Sequence, residues 1–146
     1  MIKGDRRLLL FLVGDFFILL DLVLKQMALS IWSAPIFIWG KIGWAPILNP
    51  GIAFSIHLPN IAIITLTITT LCFFTYLIAN TKNPTAQLGL VLVIFGAVSN
   101  LLDRLVYQNT IDYLQVYISV FNLADVLIVL GVGLYLLNLK ATKNIL

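Results

Sequence analysis

Glutamate is absent from this 146-residue chain, cysteine and histidine occur once each, and charged residues make up only 10% of it. Each shortage closes a class of function. One cysteine, Cys72, cannot form a disulfide within the chain, and among Leu71, Phe73 and Phe74 it reads as a small hydrophobe. His57 lies in a loop without further His, Cys or Glu, so no recognisable zinc site is spelled out and no metal or other cofactor is expected. The same isolation removes a serine–histidine nucleophile. Scarce charge, with 61% hydrophobic residues and a mean hydropathy of +1.05, excludes an ordinary soluble domain. The chain reads as an integral membrane protein of one domain, residues 1–146.

Its apolar runs leave room for about four spans of roughly 20 residues, the length that crosses a bilayer as a helix. These are residues 8–30, 61–79, 87–106 and 121–139, and only the second is free of charge. The first is too long for a signal-peptide core, lacks a small-x-small cleavage pattern and contains Asp15 and Asp21, so it is read as a retained helix. Lys3, Arg6, Arg7, Lys82, Lys140 and Lys143 fall on one side of this topology, which places both termini in the cytoplasm. The net charge of +3 follows from that distribution and does not call for a nucleic-acid partner.

Between the first two spans, residues 31–60 are broken by Pro35, Gly40, Gly43, Pro46, Pro50, Gly51 and Pro59, yet remain apolar. Residues 36–39 and 52–56 have the character of short strands, and Trp32, Trp39 and Trp44 suit the headgroup region. Irregular backbone at that depth is tolerated only against protein or a wet cavity. The segment therefore reads as a partly extended platform on the outer surface.

What the chain does have is aspartate in apolar surroundings. All six acidic residues are aspartates, and Asp15, Asp21, Asp103, Asp112 and Asp125 lie inside or beside the apolar runs. A carboxylate at mid-membrane costs roughly 2.5 to 3.5 kcal/mol on insertion scales, so such residues mark function by default. Asn100, Asp103 and Arg104 share a helix face at i, i+3, i+4, as do Asn122 and Asp125 at i, i+3. Asp21 and Lys25 are i, i+4 in the favourable order, which by itself suits a merely neutralising pair. The third span runs outward and the fourth inward, so Asp112 and Asp125 arrive at one level of the membrane. Two carboxylates in a site of low dielectric tend to share one proton, leaving one as base and the other as acid. An aspartyl hydrolase is the chemistry these residues permit best. From pattern alone, ion or proton transport and a scaffold remain open, although the absence of an internal repeat and the gathering of acids at one face offer no path across the bilayer.

Five blocks, in order along nearly the whole chain, resemble the bacterial lipoprotein signal peptidases, or signal peptidase II. They are Leu20-Asp21 with Lys25, residues 49–55 (Asn-Pro-Gly-Ile-Ala-Phe-Ser), Gly96 through Arg104, Ile111-Asp112-Tyr113, and residues 121–125 (Phe-Asn-Leu-Ala-Asp). The resemblance implies a four-helix membrane bundle with a small extracytoplasmic β-cradle between the first two helices. It further implies an aspartyl endopeptidase of the bacterial inner membrane, active near the extracytoplasmic face, which cuts prolipoproteins just before a diacylglyceryl-modified cysteine. Asp112 and Asp125 match the catalytic dyad. Asn49, Gly51, Asn100, Arg104 and Asn122 match substrate-site residues, Asp21 and Lys25 the polar pair of the first helix grouped with them, and Asp103 a structural position. The implied partners are lipid-modified prolipoproteins and membrane lipids, with the protein acting as a monomer and without nucleic acid.

The chain departs from that pattern at Pro50 and Ile52, which imply a stiffer loop and narrower pocket, and at Gln108-Asn109-Thr110, where a glycine is common. The short connection from Asp112 to Asp125 implies a small flap. Asp15 lies roughly 120° round the first helix from Asp21 and has no assigned role. Phe16, Phe17, Phe73 and Phe74 read as lipid-facing or packing residues, and Gly131 and Gly133 as sites of close helix contact.

Overall fold

The computed structural model describes residues 3–52, 56 and 58–143. Its elements, in chain order, are α1 (Lys3–Ser30), β1 (Ile36–Trp39), β2 (Ile42–Asn49), α2 (Asn60–Asn80), α3 (Pro84–Tyr107), β3 (Thr110–Val116), β4 (Ser119–Phe121) and α4 (Leu123–Lys143). The fold is mostly helical with one antiparallel sheet of order β1-β2-β3-β4. Of the expected crossings, α2 and α3 are long and apolar enough to span a membrane.

Local chemistry explains the helices. Asn83 caps α3, its Oδ1 accepting from the backbone N–H of Thr85 at 2.9 Å and of Ala86 at 3.3 Å, with Pro84 supplying the preset first-turn geometry. α3 ends where Gln108 turns left-handed, at φ 61°. In α2 the hydroxyls of Thr65, Thr67, Thr69 and Thr75, and that of Thr81 just after it, each donate to the carbonyl four residues back, at 2.7–2.9 Å. That bond satisfies a polar group on an apolar helix without a partner helix. Only Ile63 of α2 is buried.

α3 is the central helix, packed against α4, α2 and α1. Its seam with α4 is tight because glycine lines it. A Cβ at Gly96 would stand 2.6 Å from the carbonyl oxygen of Ala124, and one at Gly89 2.6 Å from that of Gly131. The close contact expected at Gly131 is present. At Gly133 it is not: a Cβ there meets nothing within 4 Å, because that face of α4 points away from α3.

The sheet corrects the sequence reading in origin and extent. A cradle wholly between the first two helices was expected, but β3 and β4 come from the connection between α3 and α4. The expected strand at 36–39 is β1, and its partner is β2 at 42–49. Ile52 and Ile56 instead bridge each other, while Ala53, Phe54, Ser55 and His57 lie outside the described residues. The β2–β3 register sets Ile47 opposite Asp112 and Asn49 opposite Thr110, with a shift between Trp44 and Ile47. Pro46 falls in that shift, where its missing N–H is no loss to the ladder.

Trp44 packs against two other aromatic side chains. It stacks on Tyr113 at 4.7 Å, meets Trp32 edge-on at 5.7 Å, and donates from Nε1 to the Trp32 carbonyl at 2.8 Å. Tyr113, Ile111 and Ala28 form the buried cluster beneath it, pinning the sheet to α1. Trp39, by contrast, is 82% exposed at the tip of the first hairpin.

Candidate active site

Asp112 enters on β3 and Asp125 on the first turn of α4, and one side chain joins them. Asn122 Nδ2 donates to Asp112 Oδ1 at 2.8 Å, while Asn122 Oδ1 accepts from the backbone N–H of Asp125 at 2.9 Å. Asp125 returns the bond, its Oδ2 accepting from the Asn122 N–H at 3.3 Å. This reciprocal cap is the usual helix-start arrangement with Asn and Asp in the two roles.

The N-terminus of α4 has every orphan donor occupied. Besides the two bonds above, the N–H of Leu123 donates to the Tyr113 hydroxyl at 3.0 Å and that of Ala124 to Asp21 Oδ1 at 3.3 Å. A helix end ordinarily leaves these groups unpaired. Here side chains from α1, β3 and α4 itself hold them, so the position of Asp125 is fixed from three directions.

Asp112 is only 2% exposed. Its second oxygen accepts from Asn49 Nδ2 at 2.8 Å, and Asn49 Oδ1 in turn accepts from the N–H of Gly51. Burial pushes its carboxyl from the usual acid range up to about 7, and the charge of Asp125 adds to the shift. The amides of Asn49 and Asn122, and the Lys25 ammonium, hold it from rising further. Burial also raises the neighbouring Tyr113 hydroxyl, with the Asp21 charge behind it.

Behind the two carboxylates lies a buried polar cluster. Lys25 Nζ reaches Asp21 Oδ2 at 2.7 Å, Asp103 Oδ2 at 2.8 Å, Ser99 Oγ at 3.0 Å and Asn100 Oδ1 at 3.0 Å. Ser99 donates to Asp21 at 2.6 Å, and Tyr113 donates to the other Asp21 oxygen at 2.8 Å. Asp103 also accepts the N–H of Ile111 at 3.1 Å, joining α3 to β3. Asn100 Nδ2 donates forward to Asp125 Oδ1 at 2.8 Å.

Arg104 flanks this group within the field of Asp112, Asp125 and Asp103. Its Nη2 donates to the Gly51 carbonyl at 2.6 Å, while its buried Nη1 has no partner among the described residues. A buried, unpaired guanidinium donor is costly, which marks a place where a ligand acceptor fits.

Of the residues singled out from the sequence, Asn49, Gly51, Asn100, Asp103, Arg104, Asp112, Asn122 and Asp125 converge here. Asp21 and Lys25 belong to the same network but are buried behind it, at 0% and 1% exposure. Asp15 is exposed on α1, away from the site. Ser99 and Tyr113 were not singled out. Their signal was adjacency, since each sits one residue from a candidate side chain. Among the described residues no three His, Cys, Asp or Glu side chains converge to hold a metal ion.

Known proteins resemble this chain in sequence and in fold. The family model described as signal peptidase (SPase) II matches residues 14–140. A lipoprotein signal peptidase of Bartonella bacilliformis is 37% identical, over 80% of this chain and 82% of that one, and one of Bartonella tribocorum is 39% identical over 62% and 60%. Two solved structures, described as bacterial membrane enzymes obtained by the in meso method, have the same fold. The first has a TM-score of 0.84 at 22% identity, covering 97% of this chain and 92% of that one. The second has a TM-score of 0.79 at 21% identity, covering 94% and 93%.

Proposed function

The chain belongs to the signal peptidase II family of membrane-bound aspartic peptidases, and from that premise we propose that it removes signal peptides from diacylglyceryl-modified prolipoproteins through the pair Asp112 and Asp125. The observation that carries this reading is the Asn122 side chain, which bonds the Asp112 carboxyl at one end and the backbone N–H of Asp125 at the other and so fixes the two residues relative to each other.

The chemistry follows from the pair. In the proposed cycle Asp112, whose carboxyl burial pushes up to about 7, begins protonated, and Asp125 takes a proton from a water. The hydroxide oxygen forms a bond to the carbonyl carbon preceding the lipid-modified cysteine, while Asp112 donates its proton to the developing oxyanion. Collapse of the tetrahedral species breaks the C–N bond, and the cysteine amine leaves with the proton that Asp125 received. The oxyanion proton returns to Asp112 as the new carboxyl forms, so the pair ends as it began.

Arg104 and Asn49 supply binding. The unpaired Arg104 Nη1 is a donor for a substrate carbonyl, and its sister Nη2 stiffens the Gly51 turn that lies against the peptide. Asn49 and Asn122 orient Asp112 from both sides, and Asn100 orients Asp125. The diacylglyceryl group anchors in lipid and presents the scissile bond at a fixed depth, which turns an encounter into an oriented one.

The same reading places the protein as a single domain, acting as a monomer in the bacterial inner membrane, with α1 to α4 crossing it. Lys3, Arg6, Arg7, Lys82, Lys140 and Lys143 fall at the cytoplasmic ends, and the sheet with its aspartates at the extracytoplasmic face. Membrane lipids surround the exposed apolar side chains of α1, α2 and α4, such as Leu19, Leu66 and Val129.

The test is a gel-shift cleavage assay of purified protein in detergent, with a diacylglyceryl-modified prolipoprotein beside its unlipidated form. Lipid-dependent cleavage, lost in Asp112→Asn and in Asp125→Asn, is expected. Turnover by either folded variant removes that residue from the mechanism.

A further inference from the structure

We propose that Lys25 is a positioning residue for the catalytic base, acting through the side-chain amide of Asn100; this rests on the reading of Asp112 and Asp125 as the dyad. Lys25 is 1% exposed and has no route to a substrate. Its ammonium lies 3.0 Å from Asn100 Oδ1, and the opposite end of the same amide donates to Asp125 Oδ1 at 2.8 Å.

An ammonium only donates, and a carboxylate only accepts. Asn100 stands between one of each, so just one of its two amide orientations satisfies both neighbours. In the flipped orientation the amide oxygen faces the Asp125 carboxylate and the NH2 faces the Lys25 cation, two repulsions in place of two bonds. Asn122 Nδ2, 3.1 Å from Asn100 Oδ1, adds to the preferred orientation but cannot replace the charge.

Lys25 is itself held in place. Three N–H donors serve Asp21, Asp103, Ser99 and Asn100, so the ammonium is drawn to the one point where α1 and α3 offer all four acceptors. A neutralising pair needs only Asp21. The reach to Asn100 is the excess that a purely structural role leaves unexplained, and it points at the dyad.

The test is a double-mutant cycle on the full chain in detergent, with a diacylglyceryl-modified prolipoprotein as substrate. Lys25→Met is made in an Asp103→Asn background, which leaves the cluster with the same single net negative charge, and again with Asn100→Ala added. Thermal unfolding is recorded for every variant. With Asn100 present, losing Lys25 is expected to lower kcat about tenfold or more while KM stays within about twofold; with Asn100→Ala, it is expected to lower kcat less than about twofold.

Equal losses of kcat in the two backgrounds, or a loss confined to KM, overturn the proposal. If the Lys25→Met variants do not unfold cooperatively, Lys25→Arg takes their place. Its planar fork pairs with the carboxylates and does not converge on four acceptors, so a folded Lys25→Arg protein with wild-type kcat also overturns it. Failure of the dyad reading looks different: wild type then cleaves nothing, or the Asp112→Asn or Asp125→Asn protein still turns over.

Discussion

Asn122 Nδ2, in the link from β4 into α4, lies 2.8 Å from Asp112 Oδ1 on β3. A helix cap is thereby also a hydrogen-bond donor to Asp112, the acid whose carboxyl burial pushes up to about 7. Folding and chemistry share one side chain.

Replacing Asn122 with Ala removes the cap and the amide at Asp112 together. Stability is expected to fall by about 1 kcal/mol from the cap alone, and kcat by about a hundredfold or more from the loss of orientation. Asn122→Asp keeps the capping oxygen but sets a third carboxylate beside Asp112. It is expected to melt below wild type, because the buried donor to Asp112, Asn100 and the Ile111 carbonyl becomes an acceptor, and to be as inactive as Asn122→Ala. Melting curves with steady-state kinetics on the two variants check both outcomes.

The pH dependence follows from Asp112. With its proton required for donation and its pKa near 7, kcat/KM is expected to fall as pH rises through about 7. The apparent value belongs to the pair and not to one residue. For stability the sign is the same. The folded pKa lies above the unfolded value, so the contribution is fully present below the ordinary carboxylate pKa of 3.8 and is lost as pH rises through about 7. Asp112→Asn is expected to flatten that part of the curve, measured by thermal unfolding between acid and mildly alkaline pH.

Arg104→Lys tests the fork. The charge remains, but one ammonium does not hold the Gly51 carbonyl and present a second, divergent donor as the guanidinium does. KM is expected to rise about tenfold with a smaller change in kcat. Arg104→Ala is expected to destabilise the fold by about 3 to 5 kcal/mol, because it removes a buried cation from among carboxylates. A stable, fully active Arg104→Ala protein contradicts this placement.

Two glycine substitutions offer a paired comparison. Gly96→Ala drives a methyl to within 2.6 Å of the Ala124 carbonyl, one residue from Asp125. A stability loss of about 1 to 3 kcal/mol and reduced activity are expected as α4 shifts outward. Gly133→Ala meets nothing within 4 Å, and the gain in helix propensity is expected to stabilise by up to about 1 kcal/mol. Melting temperatures of the two variants in the same detergent decide it.

The sequence by itself determined the class, the apolar helices and the chemistry-bearing residues. Composition does this because burying charge in lipid is costly, so the aspartates, asparagines and Arg104 that persist within apolar runs are conspicuous. Helical periodicity grouped Asn100 with Arg104 and Asn122 with Asp125, since residues on one helix face meet whatever that face meets. The ordered blocks carried the family resemblance. The strand at 36–39 was legible for a similar local reason, as a β-rich run ending at a glycine turn.

Tertiary structure decided what local pattern does not encode. Strand pairing is long-range: β2 and β3 come from different connections, and only their register brings Asn49 near Asp112, 63 residues away. Lys25 and Asn100 are 75 residues apart, and nothing in either helix announces that they share an amide. The pair of Asp21 and Lys25 read as a self-contained neutralising contact because i, i+4 geometry is complete in itself. Packing of α1 on α3 added Ser99, Asn100 and Asp103, and the β3 hairpin added Tyr113, turning a local ion pair into the frame behind the aspartates. Burial, which moves the Asp112 carboxyl towards neutrality, likewise exists only once the sheet, α3 and α4 close around it.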